Sequence, residues 1–488
     1  MLPRRPTLLI GMGLIALLAL SFLPPARHPA YVGTMLAFHA AFVTLIALVP
    51  LRPRSHVYTA LATMLTLGFW TKFLVRLVVA YPYLEPIGQF DSSTQSWNRA
   101  LATITAGVLG VIAARVIHLT VARARSDAAR AQRPAEAPAF YVRHRRVVWI
   151  ATAVIAVASY AWNAYARVYV TGMDPRIVLP FKINAALSWW YVMGLPLWLA
   201  LLIGWELERR RTRAIGLDLL WIPLVDGVVN AGSLLSRAAY LIRLSPYFLA
   251  TTRAGRAGPL GIRGNRLTIG AISLAGFVLS LAFVMTMRTF LFHPPAPAPA
   301  TARSGPSAPP GMTPRTPQVT EYYRRSAFYA VREVGQLFLD RWTGMEGVLA
   351  VTAAHGTPEL LRAVVREDPA AGVDAIYQRL AGAPYKRQAG LTFLTLAGPI
   401  ALLALTGSLA SVLIGMAVLA GLLIASEAFA RRTLGNEIAC SVLAVGTCLV
   451  VTQVTFPRLL AIFLIELWTM LLVLAVLQRQ LSREPSRS

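Results

Sequence analysis

The sequence predicts an all-α polytopic membrane protein with about eleven transmembrane helices (roughly 10–13) and one large external loop. Three observations predict it. Apolar residues make up 56% of the 488 positions and charged residues 14%, where a soluble chain carries about 25% charged residues. Apolar runs of about twenty residues, enough to cross ~30 Å of hydrocarbon as helix, recur along most of the chain. They do not alternate apolar and polar as barrel strands do, so helices rather than a barrel follow. The net charge of +26 comes from short basic clusters between the runs, which is the positive-inside pattern. That placement argues against nucleic acid as a partner.

The first run, about 7–24, follows Arg4 and Arg5 and lacks a small-residue cleavage site, so it reads as a retained span. Further spans follow at about 31–51, 57–80, 97–120, 147–170 and 187–206. Arg52 and Arg54, the stretch 123–146 and Arg209–Arg213 are basic and therefore cytoplasmic; the segment 81–97 has two acids and no base and lies outside. The stretch 215–250 is flanked by arginines on both sides and must cross an even number of times. It is short for two full helices, so a re-entrant or broken hairpin is expected. A span at 267–292 completes an N-terminal transmembrane region, 1–292. The external loop, 293–388, opens with a Pro/Ala-rich linker, 293–317, and continues as a helical part, 318–388, with helices near 321–340, 358–367 and 370–381. The C-terminal region, 389–488, holds a short re-entrant piece at 389–406 and spans at 408–429, 437–453 and 458–478. Cys440 and Cys448 lie inside one apolar run and read as small core residues, with no disulfide framework. No metal-ligand spacing, P-loop or nucleophile elbow is present, and no cofactor is expected.

Ionisable residues inside membrane spans are costly and mark functional sites by default. Four clusters qualify. Lys72 and Arg76 stand four apart on one helix face, with Glu85 and Asp91 beyond them; they either snorkel to outer headgroups or line a site. Tyr165, Arg167 and Tyr169, followed by Asp174, Arg176 and Lys182, fit interfacial anchoring. Ser236, Arg237, Tyr240 and Arg243 need an anionic partner, either Asp226 or a ligand phosphate. In the external loop, Asp340, Arg341, Trp342 and Glu346 form a set bounded by glycines, in which Trp342 suits stacking on a sugar. An outward cavity lined by arginines suits a lipid-linked diphosphate, because guanidinium forks match phosphate oxygens. A carboxylate beside it could take the proton of an attacking sugar hydroxyl.

Four segments then carry a resemblance: FWTKFLVRLVVAYPYLEPIGQFDSSTQSW, DGVVNAGSLLSRAAYLIRLSPYFL, LFLDRWTGMEGVLAV and LAGPIALLALTGSLASVLIGMAVLAGLLIASEAFA. With them the chain resembles the Wzy-like O-antigen or oligosaccharide repeat-unit polymerases, over about residues 69 to 430. The likeness implies a GT-C-like fold in the bacterial inner membrane, with a cytoplasmic N-terminus and a periplasmic large loop. It also implies metal-independent glycosyl transfer between undecaprenyl-diphosphate-linked glycans, alongside membrane lipids and a chain-length regulator as partners. On these positions it implies Arg237 and Arg341 on diphosphate, with Arg76 and Lys72 in support and Trp342, Tyr240 and Arg243 as further substrate contacts. Glu346 is the first choice of general base, with Asp340 and Asp91 as second choices. The Pro/Ala-rich insert, Gln453 and Arg458 depart from the pattern. An O-antigen ligase, a lipid-linked glycan flippase and a non-catalytic scaffold remain as alternatives.

Overall fold

Apolar runs in hydrocarbon satisfy their backbone only as helix or closed barrel, and here they are helices. The computed structural model describes residues 30–79, 83, 85–124, 137–181, 183–236, 238–251, 254–255, 258–292, 344–384 and 394–481. The expected first span, the linker 293–317 and the helix at 321–340 lie outside the described residues.

In chain order the helices are α1 (Val32–Ala47), α2 (His56–Leu65), α3 (Lys72–Val79), α4 (Thr94–Ala124) and α5 (Ala139–Ala166). Next come α6 (Ile183–Trp189), α7 (Leu195–Arg209), α8 (Leu217–Leu234), α9 (Ala239–Thr251) and α10 (Arg266–Phe292). The loop contributes α11 (Met345–Ala353), α12 (Pro358–Arg366) and α13 (Ile376–Ala381). The C-terminal region contributes α14 (Pro399–Ala404), α15 (Leu409–Leu434), α16 (Glu437–Thr452) and α17 (Pro457–Leu481). π-helical turns, Thr66–Thr71 and Trp190–Gly194, join α2 to α3 and α6 to α7 into continuous rods. Two-residue strands, Ala214–Ile215 and Gly261–Ile262, pair in parallel and bring the start of α8 beside that of α10.

Among the described residues, eight helices are long and apolar enough to cross a membrane, and α1 and α16 are shorter apolar helices of 16 residues each. The chain is an all-α polytopic membrane protein. The stretch 215–250 is a helical hairpin, α8 against α9, in which α8 alone reaches spanning length. Within 389–406 the described residues, 394–406, hold one helix, the six-residue α14, too short to cross.

α16 sits at the centre, packed against α2, α7, α9 and α15, and almost every side chain from Ile438 to Cys448 is buried. Both cysteines are free and buried there, as small core residues. The most extensive helix pair is α4 with α15. Gly110 permits it: a Cβ at that position would stand 2.3 Å from the Leu413 carbonyl oxygen. Gly110→Ala should therefore push the two helices apart and cost about 1–3 kcal/mol, the usual range for overpacking, read as a lower thermal midpoint in detergent. At one end of the bundle, Glu427 of α15 accepts hydrogen bonds from the backbone amides of His56 (2.8 Å) and Val57 (3.1 Å) and from the Ser55 hydroxyl. An acid belongs at a helix N-terminus, where amides lack intrahelical partners. This contact fixes α2, and the segment that follows it, to the C-terminal half.

Candidate functional site

The site begins with the π turn at 66–71. A π turn inserts an extra residue into the helix and re-aims the side chains beyond it. Directly after it, Lys72 and Arg76 fall on one face of α3. Facing them is the first turn of α11, which Gly344 precedes as the N-cap. The approach is tight: a Cβ on Gly344 would lie 2.6 Å from the carbonyl oxygen of Gly68 in the π turn, and one on Gly347 would lie 2.3 Å from that of Ala397. Glu346 is thereby set between the two cations. Lys72 Nζ lies 2.9 Å from Glu346 Oε2 and Arg76 Nη2 lies 2.7 Å from Oε1. The side chains of Lys72, Arg76 and Glu346 are 2%, 8% and 6% exposed, so the two cations do not snorkel. The Arg76 guanidinium also lies 3.7 Å from the Tyr83 ring centre, a cation–π contact.

A second cluster gathers where α8, α9 and the π turn at 190–194 meet. Asp226 and Asn230 share a face of α8, four residues apart. Asp226 accepts a hydrogen bond from the Tyr160 hydroxyl and lies 3.4 Å from Arg243 Nε of α9. Arg243 also donates to the carbonyl oxygen of Tyr191, in the π turn. Its Nη1, and the Oδ1 of Asn230, are buried with no hydrogen-bond partner among the described residues. A buried guanidinium edge left unpaired costs free energy unless something docks on it.

One cavity of about 910 Å³ joins the two clusters. Lys72, Glu346, Glu85 and Tyr377 line one side; Asn230, Arg243 and Arg288 line the other. Leu449, Val450 and Leu460 supply apolar wall, and Gln453 and Thr455 add polar groups. The volume lies at the upper end of the range for small-molecule sites. Cations, a carboxylate and an apolar wall in one chamber suit an amphiphile with an anionic head. Among the described residues no group of three or more His, Cys, Asp or Glu could hold a metal ion.

Lys72, Glu346 and Arg243 thus come together around one chamber, Arg76 stands behind it as the second partner of Glu346, and Asp226 is the acid that meets Arg243. Two expected residues do not join them. Tyr240 is fully buried and its hydroxyl donates to the Ser273 carbonyl at 2.9 Å. It closes the packing of α9 on α10 and makes no part of the cavity lining. Asp91 is exposed and accepts from the Ser93 amide at 2.9 Å, in the turn that opens α4. That amide, then the Ser96 and Ser93 hydroxyls, hold its carboxyl below the usual carboxylate range. Asp91 is a turn-forming residue rather than a base, and Asp91→Ala should leave any activity of the cavity at the wild-type level in the same assay that reads Glu346 variants. Arg237, Asp340, Arg341 and Trp342 lie outside the described residues.

Arg288 and Tyr377 belong to the chamber although sequence reasoning does not single them out, and Asn230, legible only as a polar residue within 215–250, belongs to it too. For Arg288 a signal existed. It is a cation inside the end of an apolar run, the same feature that marks Lys72 and Arg76. Tyr377 and Asn230 reach the cavity through tertiary packing alone. Comparison of the chain with family models, with curated proteins and with solved structures finds no match, so the functional reading rests on the cavity and its residues.

Proposed function

We propose that this protein is a metal-independent glycosyltransferase of the bacterial inner membrane that polymerises undecaprenyl-diphosphate-linked oligosaccharide repeat units. The observation that carries the reading is the single chamber that joins a cation-flanked buried carboxylate, Glu346, to a buried arginine with an unpaired guanidinium edge, Arg243. On this reading the architecture is GT-C-like, the crossings number about eleven, the N-terminus is cytoplasmic and the loop 293–388 faces the periplasm.

The diphosphate of the donor docks on Arg243, whose Nη1 has no hydrogen-bond partner among the described residues, and on Arg288, which lines the same cavity. The hydroxyl oxygen of the acceptor unit attacks the anomeric carbon of the donor. The bond from that carbon to the diphosphate oxygen breaks, and the diphosphate leaves with the electron pair. The hydroxyl proton passes to Glu346. A carboxylate offers about four lone-pair positions, and Lys72 and Arg76 each occupy one, so acceptor sites remain toward the cavity. Arginines aimed at the leaving group stabilise its charge without a metal ion, as preorganised donors do elsewhere. A chain-length regulator is the protein partner that this activity would call for.

Deletion with complementation, read as surface polysaccharide on a gel, tests the proposal. A polymerase deletion leaves a single repeat unit attached and no ladder. Loss of all attached sugar would instead indicate a ligase, and cytoplasmic accumulation of lipid-linked units a flippase. An unchanged ladder would overturn the proposal.

A further inference from the structure

Away from the cavity, the start of α5, the end of α7 and the start of α8 enclose a second, open groove of about 490 Å³. Its floor is Glu206, which has no solvent exposure and collects Arg145 (2.8 Å), Arg209 (2.8 Å), Arg210 (2.7 Å) and the Tyr141 hydroxyl (2.8 Å). Arg210 also pairs with Asp218 at the start of α8. So many cations on one carboxylate leave the mouth of the groove positive. Arg145 reaches Glu206 through Nε, and its two Nη groups make no hydrogen bond or ion pair among the described residues. Arg146 lines the same groove, is exposed and has no partner there. Below this cationic rim the wall turns apolar, with Trp149, Ile150 and Ile222. α5 is the helix most open to its surroundings in this region: only 17% of its apolar window is buried.

A guanidinium rim at the end of membrane-spanning helices, above an apolar groove that opens to the side, has the two parts that an anionic lipid presents: phosphate, then acyl chain. We infer that this groove binds an anionic glycerophospholipid, with the phosphate on Arg145 and Arg146 and an acyl chain along Trp149, Ile150 and Ile222. Glu206 positions the guanidinium of Arg145 and does not touch the lipid. The inference rests on membrane insertion of the chain and not on the glycosyl-transfer reading, so either can fail alone.

Native mass spectrometry of the full-length protein tests it, with short-chain phosphatidylglycerol, phosphatidylcholine or inorganic phosphate as probe. Phosphatidylglycerol should be retained at one saturable site and phosphatidylcholine should not. Arg146→Gln should weaken retention about fivefold, the effect of one interfacial cation. This variant is the decisive one because the Arg146 side chain holds no part of the fold together; Arg145→Gln should add to it provided its thermal midpoint stays at the wild-type value. Equal retention of phosphatidylcholine, or wild-type retention by a folded Arg146→Gln variant, would overturn the inference. Displacement of phosphatidylglycerol by an equal concentration of inorganic phosphate would identify a free-anion site instead, and would overturn the lipid assignment.

Discussion

Glu346→Ala is expected to abolish ladder formation and to lower the thermal midpoint of the purified protein at the same time. The carboxylate is the shared partner of Lys72 and Arg76, and all three side chains are less than a tenth exposed. Removing it leaves two cations buried without a counter-charge. Breaking a buried ion pair by deleting one partner costs about 3–5 kcal/mol, because the remaining charge keeps its desolvation penalty. Glu346→Gln keeps the shape and can still accept hydrogen bonds through its amide oxygen, so it should lose less stability than alanine while remaining inactive as a base. A Lys72→Met/Glu346→Gln double-mutant cycle isolates the pair, with an expected coupling of about 1–3 kcal/mol, the range for residues in direct contact. Equal thermal midpoints for wild type and Glu346→Ala would show that the ion-pair geometry does not hold in the membrane.

Arg243→Ala should produce the second large effect, through binding rather than proton transfer. Its guanidinium spans Asp226, the Tyr191 carbonyl and the open cavity. One hydrogen bond to a charged group is worth about 1.5–3 kcal/mol, so on the proposed function losing the diphosphate contact should weaken donor affinity by roughly ten- to a hundredfold. Lysine cannot replace it: a point ammonium does not reproduce a planar fork that meets three groups in three directions. Arg243→Lys should therefore raise KM for the lipid donor almost as far as alanine does. Inorganic diphosphate should protect the wild-type protein, and not the variant, against thermal unfolding.

Much of the frame was legible in the sequence because membrane helices are read from uninterrupted apolar length. α15 shows this well: Ser408 caps its start by accepting from the Ser411 amide, and Gly435 ends it with a φ of 62°. The hairpin at 215–250 was legible as an irregularity because too few residues were available for the crossings that the charges demanded, and the piece at 389–406 because Gly398-Pro399 interrupts it and the charge rule places Arg431 and Arg432 inside only if it does not cross. The two π turns were not. They break no composition rule and are visible only in backbone geometry, yet each adjoins one of the charged clusters. The pairing of Lys72 with Glu346 spans 274 positions, a distance at which a single sequence holds no signal beyond the cost of leaving either charge alone. Asp91 and Tyr240 misled for a common reason. An aspartate followed by serines opens a turn as readily as it serves catalysis, and a tyrosine beside an arginine packs a core as readily as it binds a sugar. Residue type narrowed the choice; burial and hydrogen-bond partners made it.

On the proposed function, Glu346 and Arg243 serve one reaction in one cavity. The most direct test reconstitutes the purified protein in liposomes with undecaprenyl-diphosphate-linked repeat units and reads glycan length by mass spectrometry. Wild-type protein should lengthen the glycan and release undecaprenyl diphosphate. Glu346→Gln and Arg243→Lys, each checked for a retained cooperative unfolding transition, should do neither. Elongation at the wild-type rate by both folded variants would contradict a shared role for the two residues.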